Sequence, residues 1–134
     1  MIYLDACILI YACEDHPAYS AVVRAALANR AEECFALSPL TRMECLVKPM
    51  RTGNLALQRH YEAFFDRFVW LPVDDEVFAQ ATQLRARHGL KTPDALHMAC
   101  AQLHGCDELW TNDDRLAQAG HGLAVNLLRG PAAS

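Results

Sequence analysis

The sequence predicts an α/β fold: one domain built on an open, mainly parallel five-stranded sheet flanked by helices, a Rossmann-like three-layer arrangement. Three observations carry this. Short apolar runs of strand length alternate with longer stretches of helical periodicity. That alternation demands parallel strands joined by crossover helices, which cover both faces of the sheet. The 134 residues suit one domain with one real core, and 53% hydrophobic against 21% charged residues excludes a disordered chain.

Each element follows from local signals. Ile2 to Leu4 is a short apolar run that reads as the first strand, and Ala6 to Cys13 as the helix after it. Asp15-His16-Pro17 opens the next helix, with Pro17 in its first turn and Ala21, Val22, Ala25, Ala26 and Leu27 on its apolar face. Cys34 to Leu37 is the second strand. Ser38-Pro39 starts a helix by cap and first helical residue, and that helix should stop near Lys48, before Pro49. Leu57, Tyr61, Phe64 and Phe68 fall at helical spacing between Leu55 and Phe68, with Leu55 and Phe65 widening the stripe. Val69 to Val73 is the third strand. Asp74-Asp75-Glu76 places acid at the positive end of a helix that Gly89 ends. Thr92-Pro93-Asp94 opens a helix running to His104-Gly105. Glu108 to Trp110 is the fourth strand, Thr111 to Asp114 caps a short helix ending at Gly120, and Leu123 to Leu128 is the fifth strand. The domain spans 1–130, and residues 131–134 form a loose tail.

Charge and cysteine content narrow the function. Twelve basic against sixteen acidic side chains give −4, so no strongly basic surface grips nucleic acid by charge alone. A phosphate backbone would need a local device such as a bound cation. No apolar run reaches the ~18 residues of a spanning helix, which predicts no membrane association. The six cysteines, Cys7, Cys13, Cys34, Cys45, Cys100 and Cys106, sit in apolar periodic segments without a C-x-x-C pair. They read as small buried hydrophobes in a reducing, cytoplasmic protein.

Four carboxylates stand out by position. Asp5 ends the first strand, Glu44 lies in the second turn after the second strand, Asp94 opens a helix, and Asp113 follows the fourth strand. In an open parallel sheet all four fall beyond the carboxyl ends of the strands, where such folds place their crevice. Close carboxylates without a counter-ion cost roughly a kcal/mol or more per pair, and hard oxygen donors suit Mg²⁺ or Mn²⁺. Each acid also has an ordinary explanation: Asp5 as a helix cap, Glu44 paired with Lys48, Asp94 as a first-turn acid, Asp113-Asp114 as a cap. Spacing alone leaves the two readings even.

The segments Ile2-Tyr3-Leu4-Asp5, Ser38 to Glu44, Thr92-Pro93-Asp94-Ala95-Leu96-His97 and Leu109 to Asp113 resemble the motifs of the PIN-domain family, in order and over nearly the whole chain. The resemblance is strongest to the VapC-type toxin ribonucleases of toxin–antitoxin pairs. It implies a Mg²⁺- or Mn²⁺-dependent endoribonuclease whose metal-binding and catalytic acids are Asp5, Glu44, Asp94 and Asp113. It also implies Thr111 as the hydroxyl residue before the last acid, and Asp114 as an assisting group. Arg42, Arg85, Arg87, Lys91 and Arg115 lie near the motif segments and are the candidates for RNA contact. A homodimer and a cognate antitoxin, whose tail enters the active-site groove, are further implications. One departure stands out: Ala6-Cys7 replace the Thr or Ser, and the Asn or Ser, that usually follow the first acid. Those groups orient the first carboxylate, so their loss weakens support without removing a ligand.

Other readings compete. His97, Cys100 and His104 share a helix face with Cys106 beyond it, yet no second ligand pair with zinc-finger spacing exists, which favours helix packing. An aspartyl phosphatase needs an Asp where Cys7 stands, and a receiver domain needs paired acids and a late Lys. Neither pattern is present. A catalytically weak or silent binding module on the same fold is the serious alternative. The Leu57/Tyr61/Phe64/Phe68 stripe is expected to face the core.

Overall fold

The computed structural model of the chain describes residues 1–119 and 122–128. Five parallel strands form one sheet in the order β3-β2-β1-β4-β5. They are β1 (Ile2–Leu4), β2 (Phe35–Leu37), β3 (Val69–Trp70), β4 (Glu108–Thr111) and β5 (Ala124–Asn126). Seven helices connect them among the described residues: α1 (Ala6–Cys13), α2 (Ser20–Asn29), α3 (Pro39–Arg51), α4 (Leu55–Phe65), α5 (Asp75–His88), α6 (Thr92–Leu103) and α7 (Asp114–Ala119). β1 lies at the centre, with Ile2 opposite both Phe35 and Glu108, and Leu4 opposite Trp110. The chain leaves β1 toward β2 on one side and reaches β4 on the other. The crevice at that switch point is where an open α/β sheet places its site.

The period-2 geometry of β1 sorts the core into two layers. Tyr3 points to one face, among Val77, Ala81 and Leu84 of α5 and Ala95, Met98 and Ala99 of α6. Ile2 and Leu4 point to the other, among Ile8 and Leu9 of α1, Cys45 and Leu46 of α3, and Tyr61 and Phe65 of α4. Strands buried on both faces read as continuous apolar runs, as Ile2-Tyr3-Leu4 does. In the aromatic stripe, Tyr61 is buried while Leu57, Phe64 and Phe68 are half-buried against the same cluster. Leu55 lies outside it, 53% exposed.

Several boundaries differ from expectation. The helix signalled by Pro17 begins at Ser20. The Ser20 hydroxyl accepts the His16 N–H and donates to the Glu14 carbonyl, both at 2.7 Å, and these bonds hold the preceding residues in a turn. α3 runs through Pro49 to Arg51 instead of stopping near Lys48. Pro49 is buried and sits in the last turn, so it forfeits a single hydrogen bond while its ring stays in the core. α4 closes at Phe65, three residues early, and β3 pairs only over Val69–Trp70. β4 extends one residue further than expected, to Thr111, and β5 is limited to Ala124–Asn126. The stop expected at Gly120 and the tail at 131–134 lie outside the described residues. All six cysteines are free; four are buried as expected, Cys7 is half-buried, and Cys34 is exposed, contrary to the buried reading.

Candidate active site

The site lies beyond the carboxyl ends of β1 and β4 and is built on four segments. Asp5 follows β1 directly. It occupies the N-cap position of α1, yet its side chain makes no capping bond; the Asp5 carbonyl accepts from Ile8 and Leu9 instead. The ordinary cap explanation therefore fails for this carboxylate. Its Oδ2 accepts the Thr111 hydroxyl at 2.8 Å, and the Thr111 Oγ1 accepts the Asp113 backbone N–H at 3.1 Å. One buried threonine at the end of β4 thus ties the first acid to the last. It supplies from β4 a hydroxyl partner that Ala6-Cys7 do not supply from α1.

Glu44 reaches the same place from α3. Its expected partner Lys48 lies 4.0 Å from Glu14 instead. Glu44 Oε1 meets His97 Nε2 at 2.5 Å, and His97 Nε2 lies 3.7 Å from Asp5 Oδ1. Donor atoms of Asp5, Glu44 and His97 all fall within 4.8 Å of one another. His97 is fully buried, and its Nδ1 lies 2.6 Å from the Tyr3 hydroxyl, which also meets the Ser38 hydroxyl at 2.7 Å. Sequence reasoning assigned His97 to packing and passed over Tyr3. The available signal was spacing: His97 follows Asp94 by three residues, on the same side of α6.

Asp94 and Asp113 line one wall of a cleft of about 480 Å³, together with His88, Lys91 and Arg115. Burial pushes the Asp94 carboxyl up from its ordinary range, and the negative charges of Asp5, Asp113 and Glu44 add to the effect. The four acids therefore share one electrostatic neighbourhood. Asp113 Oδ1 also accepts the Arg115 backbone N–H at 2.8 Å, so this acid caps its turn as well as facing the cleft.

The remaining candidates divide. Lys91 and Arg115 stand on the rim of the acidic cleft. Arg85 donates to the Leu90 carbonyl at 3.1 Å, and Arg87 is exposed on α5. Arg42 points away, with its guanidinium 4.8 Å from the centre of the Trp70 ring. Its place two residues before Glu44 turns it to another side of α3. Asp114 accepts the Asn126 amide at 2.9 Å, which ties it to β5. The zinc reading of the α6 face does not hold. Cys100 and His104 both turn to the Pro72 carbonyl, and Cys106 is buried in the core.

Donor chemistry fits a hard divalent cation: carboxylate oxygens converge, and Asp94 carries an electrostatic penalty that a cation relieves. A three-layer parallel fold with an acidic switch-point crevice defines a class, and comparison with known proteins places the chain in it. The chain belongs to the PIN domain family, whose model matches residues 2–122. Solved structures share the fold. A toxin–antitoxin complex from Klebsiella pneumoniae is 24% identical, with TM-score 0.79, covering 95% of this chain and 98% of that one. VapBC2 from Rickettsia felis, bound to a DNA fragment from its promoter, is 19% identical with TM-score 0.78, covering 93% and 98%. VapC20 from Mycobacterium tuberculosis, a sarcin-ricin loop cleaving toxin, is 17% identical with TM-score 0.74, covering 90% and 95%. No curated protein sequence matches the chain significantly. Among the described residues, no helix is long and apolar enough to cross a membrane.

Proposed function

We propose that the chain is a divalent-metal-dependent endoribonuclease, the toxin half of a toxin–antitoxin pair. The observation that carries this is the convergence of Asp5, Glu44, Asp94 and Asp113, from four separate segments, at one edge of the sheet. Asp5, Asp94 and Asp113 would hold Mg²⁺ or Mn²⁺, with Glu44 binding directly or through water. The bound ion would supply Lewis-acid activation of water and charge neutralisation at the scissile phosphate. The Thr111 hydroxyl donates to Asp5 Oδ2 and would steady that carboxylate as a ligand. Lys91 and Arg115, on the rim, would receive flanking phosphates. The chain's net charge of −4 makes this division of labour necessary, since a polyanion approaches the acids only when a cation occupies them.

The toxin–antitoxin character of the Klebsiella complex and the RNA-cleaving character of VapC20 support the assignment of an antitoxin partner and an RNA substrate. A second copy of the chain is the partner we assign to an apolar face of α3. Met43, Val47 and Met50 lie at successive turns there, each about half exposed.

The test is cleavage of RNA with Mg²⁺ or Mn²⁺ by the wild type, Asp5→Asn and Asp94→Asn, with Mn²⁺ affinity measured by calorimetry. Each substitution should lower cleavage at least ~100-fold. Equal rates in all three proteins would overturn the mechanism. Metal binding without cleavage by the wild type would identify a silent binding module.

A further inference from the structure

We propose that His97 is a positioning residue: its Nε2–H holds the Glu44 carboxylate, and a buried Ser38–Tyr3–His97 chain fixes the imidazole in the form that does so. Two bonds at its ring nitrogens carry the argument. Nε2 lies 2.5 Å from Glu44 Oε1, in hydrogen-bond contact, with the imidazole N–H donating and the carboxylate oxygen accepting. A bare Nε2 would set its lone pair against an anion. Nδ1 lies 2.6 Å from the Tyr3 hydroxyl. Ser38 and Thr41 form the capping box of α3, in which the Ser38 oxygen accepts the Thr41 backbone N–H. The Ser38 hydroxyl is then free to donate to Tyr3 at 2.7 Å, and Tyr3 to donate to Nδ1. Burial holds the Tyr3 phenol in its protonated form. Ser38, Thr41, Tyr3 and His97 are all fully buried, so no solvent competes for these bonds.

His97 lies close enough to Asp5 and Glu44 to be mistaken for a third metal ligand, but its Nε2 is already spent on a proton shared with Glu44. The consequence is mechanical. α3, which carries Glu44, is locked to α6, which carries Asp94, and the Glu44 carboxylate is aimed before any cation arrives.

This inference deepens the nuclease reading, and its first test is independent of that reading. Nitrogen-15 spectra of the imidazoles are recorded for the metal-free protein and during addition of Mg²⁺. His97 should keep a protonated Nε2 throughout, with Nδ1 unprotonated; loss of the Nε2 proton on adding Mg²⁺ would overturn the proposal. The second test measures Mn²⁺ affinity by calorimetry in His97→Gln and His97→Ala. Glutamine keeps an N–H donor but loses the imidazole, so its affinity should stay within about 3-fold of wild type, while alanine loses roughly 10-fold. Equal losses in both would make the imidazole itself a ligand. In Tyr3→Phe, RNA cleavage should show kcat lower by about 10-fold with KM unchanged; a loss confined to KM would contradict a role in aiming Glu44. If the wild type cleaves no RNA, the spectroscopic and calorimetric outcomes still decide the role of His97.

Discussion

Asp94 carries the cost of the site in one residue. Its carboxyl is pushed up by burial and by Asp5 and Asp113, so the folded state keeps its proton to higher pH than the unfolded chain does. Between an unfolded pKa of about 4 and the higher folded value, its contribution to stability grows as pH falls and is lost as pH rises. Above the folded value it is a constant penalty on the metal-free protein. Asp94→Asn should therefore raise the Tm at neutral pH in chelator, by about 2–4 °C for a domain of this size, and the gain should vanish near pH 3. Mg²⁺ should reverse the ranking by stabilising the wild type, by roughly 2.7 kcal/mol at a hundredfold excess over Kd. Thermal melts in chelator and in Mg²⁺ decide it, and a less stable Asp94→Asn in chelator would refute the penalty. The acids were legible in the sequence because strand ends and helix starts announce themselves. Tyr3 and His97 were not, because a buried tyrosine in an apolar strand and a histidine on an apolar helix look like packing until the two elements meet.

At the scale of elements, punctuation was read well where a backbone requirement dictates the residue, and poorly where side chains compete. Gly89 ends α5 with φ of 65°, in the left-handed region, and its N–H returns to the Arg85 carbonyl. A Cβ added there meets nothing within 4 Å, so conformation alone sets the cost of replacing it. Gly89→Ala should lose about 1 kcal/mol, and Gly89→Asn less, in urea unfolding with an unchanged m-value. A neutral Gly89→Ala would mean that the turn relaxes freely. The turn also borders the acidic cleft and carries Lys91 on its rim, so its strain would be felt there first. By contrast, Pro17 and Pro49 misled in opposite directions. Pro17 lies in a turn governed by Ser20, and Pro49 is carried inside α3 as a buried residue of its last turn. Proline states what the local backbone prefers, and tertiary burial decides how far that preference prevails.

For the whole molecule, alternation of strand and helix was enough to give a parallel sheet, its crevice and the edge where the acids meet, since crossover handedness leaves few alternatives. It was not enough to say which helix faces stay outside. α3 buries Thr41, Cys45 and Pro49 and turns Met43, Val47 and Met50 outward, 57, 48 and 56% exposed. Three large apolar side chains on one stripe cost solubility unless a partner covers them. Arg51 follows Met50 at the end of the stripe and places a charge on its margin. Light scattering of the wild type at high concentration should therefore give the mass of a dimer, and Met43→Glu combined with Val47→Glu should yield monomer. Like charges brought together across a twofold contact cost several kcal/mol, so the dimer Kd should rise by at least ~100-fold. Because these residues face away from Cys45 and the core, the variant should melt with the same cooperativity as the wild type. A monomeric wild type, or a variant that remains dimeric, would reassign the face to another partner.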